Sequence, residues 1–277
     1  MTLMTPPGMQ SGDYSVVAIS DGYLSASLDL LSGITCQDAA ALQQQAGISD
    51  PSAVHINCYL LRGRGRTVLI DAGAGGINQW GGNLQVNLAR AGVQPAEIDT
   101  ILLTHAHPDH IGGLLNASGE AAFPGAELVI QQREVTFWQD DANLSRASQR
   151  ARGNFLFARK VFDRYRQRTR TFNANEVLPG ISGIPLPGHT AGHSGYRIES
   201  GNESLLVWGD IVHFPSVQIA HPAVSIAFDL DPQLAAETRL KLLDQACSEQ
   251  LLIAGMHLDE RGFTRIERRG NRWRMSS

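Results

Sequence analysis

Six consecutive residues hold four groups able to bind divalent metals: His105-Ala106-His107-Pro108-Asp109-His110. Imidazole and carboxylate are the donors that borderline divalent ions favour. The segment follows an apolar run, Glu97 to Thr104 (EIDTILLT), that reads as a short buried strand, so the four side chains fall where a strand gives way to a helix. From such a turn His105 and His107 can face one ion while Asp109 and His110 face a second. Three further candidates stand just past apolar runs: His189 in PLPGHTAGHSGY, Asp210 in LLVWGDIVH and His257 in LLIAGMHLD. Separate strands ending in His or Asp can share one rim. A zinc ion with three protein ligands and an open position lowers the pKa of its water to about 7. Two metals about 3.5–4 Å apart can hold one hydroxide as nucleophile and neutralise the developing oxyanion. Hydrolysis of an activated ester, lactone or phosphotriester is the chemistry such a cluster serves. No Gly-x-Ser-x-Gly segment suggests a serine nucleophile instead.

The elements that must position these residues can be read along the chain. Residues 1–12 read as a loose arm. Tyr14 onward is strand-like, and 55–76 reads as two strands around a Gly-Arg turn, ending in a glycine-rich loop that carries Asp71. A helix fits Asn83 to Ala91 with Gly92 as its stop, and the start of another fits Gly112 to Asn116. Further strands fit Ala126 to Gln131, Ile181 to Leu186, Gly195 to Glu199, Leu205 to Val207 and Leu251 to Ala254, with a long helix at Pro232 to Cys247. The alternation implies an α/β protein of layered sheets with helices outside. At 277 residues and 43% hydrophobic, with neither an internal repeat nor a low-complexity linker, a single domain spanning 1–277 is expected. A net charge of −4 argues against a nucleic-acid coat or a polybasic membrane binder, and no apolar run approaches the ~20 residues of a membrane span. The three cysteines are far apart and unpaired in pattern, so neither a disulfide framework nor a cysteine metal site is expected. The start of the chain lacks the basic and apolar segments of a signal peptide, which points to a cytoplasmic protein.

The motifs taken together, His-x-His-x-Asp-His at 105–110, Gly-His-Thr-x-Gly-His at 188–193, Gly-Asp at 209–210, His257 and the Asp-x-Gly loop at 71–73, closely resemble those of the metallo-β-lactamase fold superfamily. The resemblance implies an αββα sandwich of two mixed sheets flanked by helices, with a dinuclear metal site at one edge. It makes His105, His107 and His189 ligands of a first metal, Asp109, His110 and His257 ligands of a second, and Asp210 the bridge. Two divalent ions follow, zinc or else iron, manganese or cobalt, with Asp109 and Asp210 also taking part in catalysis. Asp109 and His110, where the flavodiiron branch has Glu, favour hydrolysis over redox chemistry. Asp71 is expected to receive the outer N–H of a metal-bound histidine. His193 is expected beside the ligands rather than among them, and Thr104 and Thr190 to make local hydrogen bonds.

The segment at about 133–170 reads as a helical, cap-like insertion. Between Arg146 and Arg170 eight arginines and one lysine accompany a single acid, Asp163, a local charge of +8. It suits a solvated face, a homodimer surface or a cap that attracts anions. Trp138, Phe155 and Phe157 are candidates for an apolar substrate wall, with His213 at the mouth of the site and Phe214 as a lid. Phrases such as SDGYL, REVTFW, WGDIVHFPSVQ and FDLDP are similar to the methyl parathion hydrolase and quorum-quenching lactonase branch. That similarity implies lactones, esters and organophosphate triesters as small-molecule substrates, although the sequence does not assign any tyrosine to the catalytic position of acyl-homoserine lactonases. A glyoxalase II-like thioesterase and a ribonuclease Z-like phosphodiesterase share the ligands but want, respectively, an extra C-terminal domain and an RNA-binding arm. A metal-stabilised ligand-binding module is the non-enzymatic alternative.

Overall fold

Leu61, Val68 and Ile70 face one way and Leu60, Leu69 and Ile101 the other, and all are buried. Strands that are apolar on both faces must be covered on both, and that requirement sets the architecture. A computed structural model describes residues 8–11, 13–173, 175–200, 203–270 and 272–276.

The first half of the chain contains β1 (Gly8–Ser11), β2 (Tyr14–Ser25), β3 (Leu31–Ser32), α1 (Cys36–Gln45), β4 (Ala53–Gly63), β5 (Arg66–Ile70), α2 (Leu84–Arg90), β6 (Thr100–Leu102), α3 (Pro108–Ile111) and β7 (Glu127–Gln131). Then come α4 (Gln132–Gln139), α5 (Asp141–Arg146), α6 (Gln149–Tyr165), β8 (Thr169–Phe172), β9 (Asn175–Leu178), β10 (Ile181–Pro185), β11 (Ser194–Ser200) and β12 (Glu203–Val207). The chain closes with α7 (Pro215–Gln218), β13 (Ser225–Ile226), α8 (Pro232–Ser248), β14 (Leu252–Ala254), β15 (Phe263–Arg269) and β16 (Arg272–Met275). One mixed sheet has the order β1-β2-β4-β5-β6-β7-β8 and the other β16-β15-β14-β12-β11-β10-β9; β13 and β3 make a small ribbon.

Val16, Tyr59, Leu102 and Val129 of the first sheet meet Tyr196, Ile198, Leu205 and Val207 of the second in a shared core. Outside the first sheet, Leu128 and Ile130 pack under Val161, Phe162 and Tyr165 of α6. Outside the second, Leu206 and Ile253 pack under Leu242, Leu243 and Ala246 of α8. The result is the expected αββα sandwich. Among the described residues no helix is long and apolar enough to cross a membrane.

Three expectations are corrected. Residues 8–11, expected within a loose arm, pair with β2 as an edge strand, while 1–7 and 12 lie outside the described residues. The helix expected from Gly112 forms earlier, at Pro108–Ile111, and only a single 3-10 turn covers Gly112–Leu114, because proline suits the first helical position. The helical segment is shorter than 133–170: it begins at Gln132, its last long helix ends at Tyr165, and Thr169 and Arg170 already belong to β8, paired with β7.

A bulge in β2 positions the glycine-rich loop. The pairing with β4 shifts between Ser20 and Gly22, and Asp21 turns out of the ladder, buried. Its carboxylate accepts from the backbone N–H groups of Ala74, Gly75, Gly82 and Leu84 at 2.8–3.4 Å. Burial pushes the carboxyl up from its usual value, against the pull of those four donors. The loop in turn grips α3, since Ala72 N–H donates to His110 O and Gly113 N–H to Gly73 O. Asp21→Ala is therefore expected to cost about 3 kcal/mol, because buried N–H groups lose their acceptor. Urea unfolding measures it; a loss below about 0.5 kcal/mol would mean the loop holds itself.

Candidate metal centre

The first sheet delivers its side chains from the ends of two parallel strands. After β5, Asp71 takes a left-handed backbone (φ 56), tolerable for Asp, and its N–H donates to Leu102 O. Its side chain accepts from Thr104 N–H at 2.8 Å, Thr104 Oγ1–H at 2.7 Å and His110 Nδ1 at 2.6 Å. After β6, residues 103–107 run out to α3, which carries Asp109 and His110. The second sheet contributes His189 after β10, Asp210 after β12 and His257 after β14.

These residues converge on one carboxylate oxygen. Asp210 Oδ2 lies 3.6 Å from His105 Nε2, 3.2 Å from His110 Nε2, 3.3 Å from His189 Nε2, 3.1 Å from His213 Nε2 and 3.2 Å from His257 Nε2. Asp109 Oδ2 stands 3.4 Å from His110 Nε2 and 3.5 Å from His257 Nε2, and His107 Nδ1 faces His189 Nε2 at 3.0 Å. The donor atoms of His105, His107, His189 and Asp210 lie within 4.8 Å of one another, as do those of Asp109, His110, His257 and Asp210. Burial opposes the charge on Asp210, but His110, His257, His105 and His213 hold its carboxyl well below the usual range. Burial likewise opposes charge on His189, yet Asp210 and Asp229 push its imidazole up to about 9.

The outer nitrogens show which way the lone pairs point. Nδ1 of His105 meets Thr104 Oγ1 at 3.0 Å, a hydroxyl whose proton is already given to Asp71. Nδ1 of His110 meets Asp71, that of His189 meets Asp229 Oδ1 at 2.9 Å, and that of His257 meets His55 O at 2.8 Å. Acceptors outside take the Nδ1 protons, so each Nε2 turns inward and offers its lone pair once a cation displaces any proton it holds. Nε2 of His105, Nε2 of His110 and Oδ1 of Asp210 are buried without a hydrogen-bond partner. Lone pairs gathered without a donor are what a divalent cation satisfies, so the donor set fits a metal.

His193 is committed on both sides. Its Nδ1–H donates to Leu186 O at 2.8 Å and Nε2 accepts from Asp210 N–H at 2.9 Å, an approach that needs the bare Cα of Gly209 (φ 58). The cluster forms the floor of a cavity of about 1160 Å³, whose walls include Trp138, Phe155 and Phe157, while His213, expected at the mouth, is instead buried on the floor with its Nε2 beside Asp210 Oδ2. No tyrosine lines it among the described residues. Phe214 is a correction: expected as a lid, it is 1% exposed in the small core with Leu24, Ile56 and Val217, outside the cavity. The reason is local, since Gln218 Oε1 accepts from the N–H groups of His213 and Phe214 and turns the ring inward.

The sequence profile of the metallo-β-lactamase superfamily matches residues 51–257. The chain belongs to the metallo-β-lactamase superfamily. Among solved members, the hydrolase AbOPH superposes with a TM-score of 0.90 at 30% identity, over 98% of this chain and 97% of that one. AidC, a dizinc quorum-quenching lactonase, superposes with a TM-score of 0.90 at 23% identity, over 100% and 98%. YobT of Bacillus subtilis, a protein without an assigned activity, is 27% identical over 164 residues, 56% of this chain and 62% of its own. The chain thus spans less than two thirds of that curated relative.

Three buried groups at this metallo-β-lactamase site had no signal in residue type or spacing. Asp229, in the FDLDP phrase, orients His189 and accepts from Ile226 N–H. Arg239 of α8 lies 3.9 Å from Asp229 Oδ2 and donates to the carbonyls of Ile211, Pro222 and Val224, bracing the segments on either side. Glu134 of α4 accepts from Ala106 N–H, Trp138 Nε1–H, Thr190 Oγ1–H and Gly192 N–H at 2.7–3.0 Å, joining the helical segment to two histidine-bearing loops.

The histidines should separate on substitution. His189→Ala is expected to lose metal, and Asp229→Ala to weaken metal affinity by about 10–100-fold through the loosened imidazole. His193→Ala should keep its metal while losing about 2 kcal/mol of stability from two orphaned backbone groups. Elemental analysis beside urea unfolding tests the set; equal metal loss in His193→Ala and His189→Ala would refute the assignment.

Proposed function

We propose that the protein is a dinuclear metal-dependent hydrolase acting on small-molecule lactones, esters or organophosphate triesters. The observation that carries this reading is the pair of donor sets sharing Asp210 on the floor of a large, largely apolar cavity. His105, His107 and His189 would hold one divalent ion, Asp109, His110 and His257 the other, and Asp210 both; zinc suits the imidazole and carboxylate donors, with iron, manganese or cobalt as substitutes. Bound there, the ions supply Lewis acidity and an acidified water near neutral pH.

The chain's own residues do the rest. Asp109 and Asp210, acceptors on the floor, would orient a water, and Asp109 would receive its proton. Water adds to the acyl or phosphoryl centre while the leaving oxygen departs with a proton. Trp138, Phe155 and Phe157 hold the apolar part of the substrate and keep bulk water from the floor, and His213 stacks on His257 with ring centroids 5.0 Å apart. The helical segment acts as a cap within one domain. Its aromatic wall suits an aryl or acyl group better than a polynucleotide, which sets the phosphodiesterase reading aside. The relatives support the class: AbOPH is described as a hydrolase and AidC as a dizinc lactonase.

Metal removal is the direct test. Freshly purified protein should contain close to two divalent ions per chain, and chelation should abolish turnover across a panel of aryl esters, lactones and phosphotriesters, with zinc restoring it. Activity should rise with pH through a limb near about 7, where the acidified water ionises. Trp138→Ala should raise KM for aryl substrates about tenfold at unchanged metal content, as lost uniform binding does. Turnover that survives chelation would refute the metal-dependent mechanism, and a panel without any turnover would refute the hydrolase reading and leave a binding module.

A further inference from the structure

Of the nine cations between Arg146 and Arg170, eight fall into two groups. Arg159 pairs with Asp141 at 2.7 Å, Arg164 with Glu120 at 3.0 Å, Arg166 with Asp163 at 4.0 Å and Arg170 with Glu127 at 2.9 Å. Arg168 lies over the Tyr165 ring. None of these lines the cavity. Arg146, Arg150 and Lys160 do line it, and among the described residues none of the three forms an ion pair.

Two of the three are held in place. Arg150 Nη2 donates to Ala227 O at 3.1 Å and its guanidinium carbon sits 4.9 Å from the Phe228 ring centroid, so the side chain bridges from α6 to the facing loop. Arg146 is tied to its own helix through Ala142 O at 3.1 Å and Asn143 Oδ1 at 3.2 Å. The acids that line the cavity, Asp109, Asp210 and Asp229, all stand on the floor against histidines. Above the floor the lining carries three cations and no acid, in a chain whose net charge is −4. The same lining carries an apolar wall that includes Trp80, Phe137, Phe155, Leu156 and Phe228. The volume, about 1160 Å³, exceeds the usual range for a small-molecule site, about 300–1,000 Å³, and leaves room for a ligand that reaches from floor to cations.

We propose that the substrate is an anionic amphiphile: a hydrolysable group at the metal floor, an apolar span along the aromatic wall, and a carboxylate or comparable anion met by Arg146, Arg150 and Lys160. This rests on the hydrolase reading and adds to it the substrate's charge and where that charge sits. The cations are exposed, so their contribution is steering plus a screened attraction. An exposed charge pair contributes about 0.2–1 kcal/mol, roughly a one-and-a-half- to fivefold effect for each cation.

The test is a matched pair of esters, p-nitrophenyl octanoate and mono-p-nitrophenyl suberate. They have equal acyl length and the same leaving group, and differ in a terminal carboxylate. With metal-loaded protein at low salt, and each rate normalised to its hydroxide-catalysed rate, the suberate is expected to have a kcat/KM about tenfold higher. Raising salt to about 500 mM should shrink that ratio several-fold, because the Debye length falls well below 10 Å. Arg150→Gln and Arg146→Gln should each lower the ratio about two- to fivefold, while Arg166→Gln, outside the cavity, leaves it unchanged. A ratio at or below one in the unmodified protein, or the same ratio at all salt concentrations, overturns the proposal while turnover of the octanoate leaves the hydrolase reading standing. Turnover of neither ester overturns both. Since the salt series uses the unmodified chain, its outcome does not depend on the variants folding.

Discussion

A single buried oxygen, Asp210 Oδ2, with five imidazole nitrogens within 3.6 Å, is the constraint around which this molecule is organised. Left to themselves such groups would rotate to pair with one another or would draw in water, since buried lone pairs without partners are costly. They are kept aimed at a common point because their other ends are held. Thr104, Asp71, Asp229 and the carbonyl of His55 each engage an outer nitrogen, and those acceptors come from different segments of the fold. The cation site is thus defined from outside inward. Hydrogen bonding fixes the outer nitrogen of four rings, and so fixes the direction of the inner donors.

This explains why so much of the architecture is spent on the loops at one rim. The two sheets bring strand ends from distant parts of the chain to one edge, but a strand end alone leaves a loop free to move. Asp21 fastens the glycine-rich loop that seats Asp71, and Arg239 ties Asp229 to the segment following Asp210. Each brace is a buried charged group with several hydrogen bonds. Such groups are poor sources of net stability and good sources of conformational specificity when fully paired. Arg239 has the same character: burial lowers its usual pKa, and Asp229 beside it opposes that shift.

Legibility in the sequence followed locality. The donors at 105–110 announce themselves because four chemically apt residues are adjacent, and His189, Asp210 and His257 because each ends a recognisable apolar run. The sandwich could be inferred since strand and helix patterns alternate. Asp229, Arg239 and Glu134 could not be read, because an acid in a loop or a charged residue on a helix looks like ordinary surface until the partner is known, and those partners lie up to 58 residues away. Phe214 departs from expectation for the complementary reason. Proximity to Asp210 in sequence suggests the cavity, whereas a Gln218 hydrogen bond four residues on directs the chain and buries the ring. The edge strand β1 has only four residues, too short for an alternating pattern to stand out.

Glu134 makes the helical segment and the metal floor one mechanical unit. A single carboxylate receives N–H groups from the loops bearing His107 and His189 and also the indole N–H of Trp138, itself a cavity wall. Losing Glu134 therefore disturbs the cavity wall and both histidine-bearing loops together, whereas Trp138 supplies only one of its four hydrogen bonds. Residues 146–157 lie on the same cavity but have no such link: Arg150 reaches Ala227, a loop carbonyl, and Phe155 packs on Phe137 and Trp138 by ring contact alone. A fold built this way separates what must stay fixed from what can vary. The fixed part is welded by a buried carboxylate, and the variable part rests on it through dispersion and exposed charge, which tolerate substitution without moving the imidazoles below.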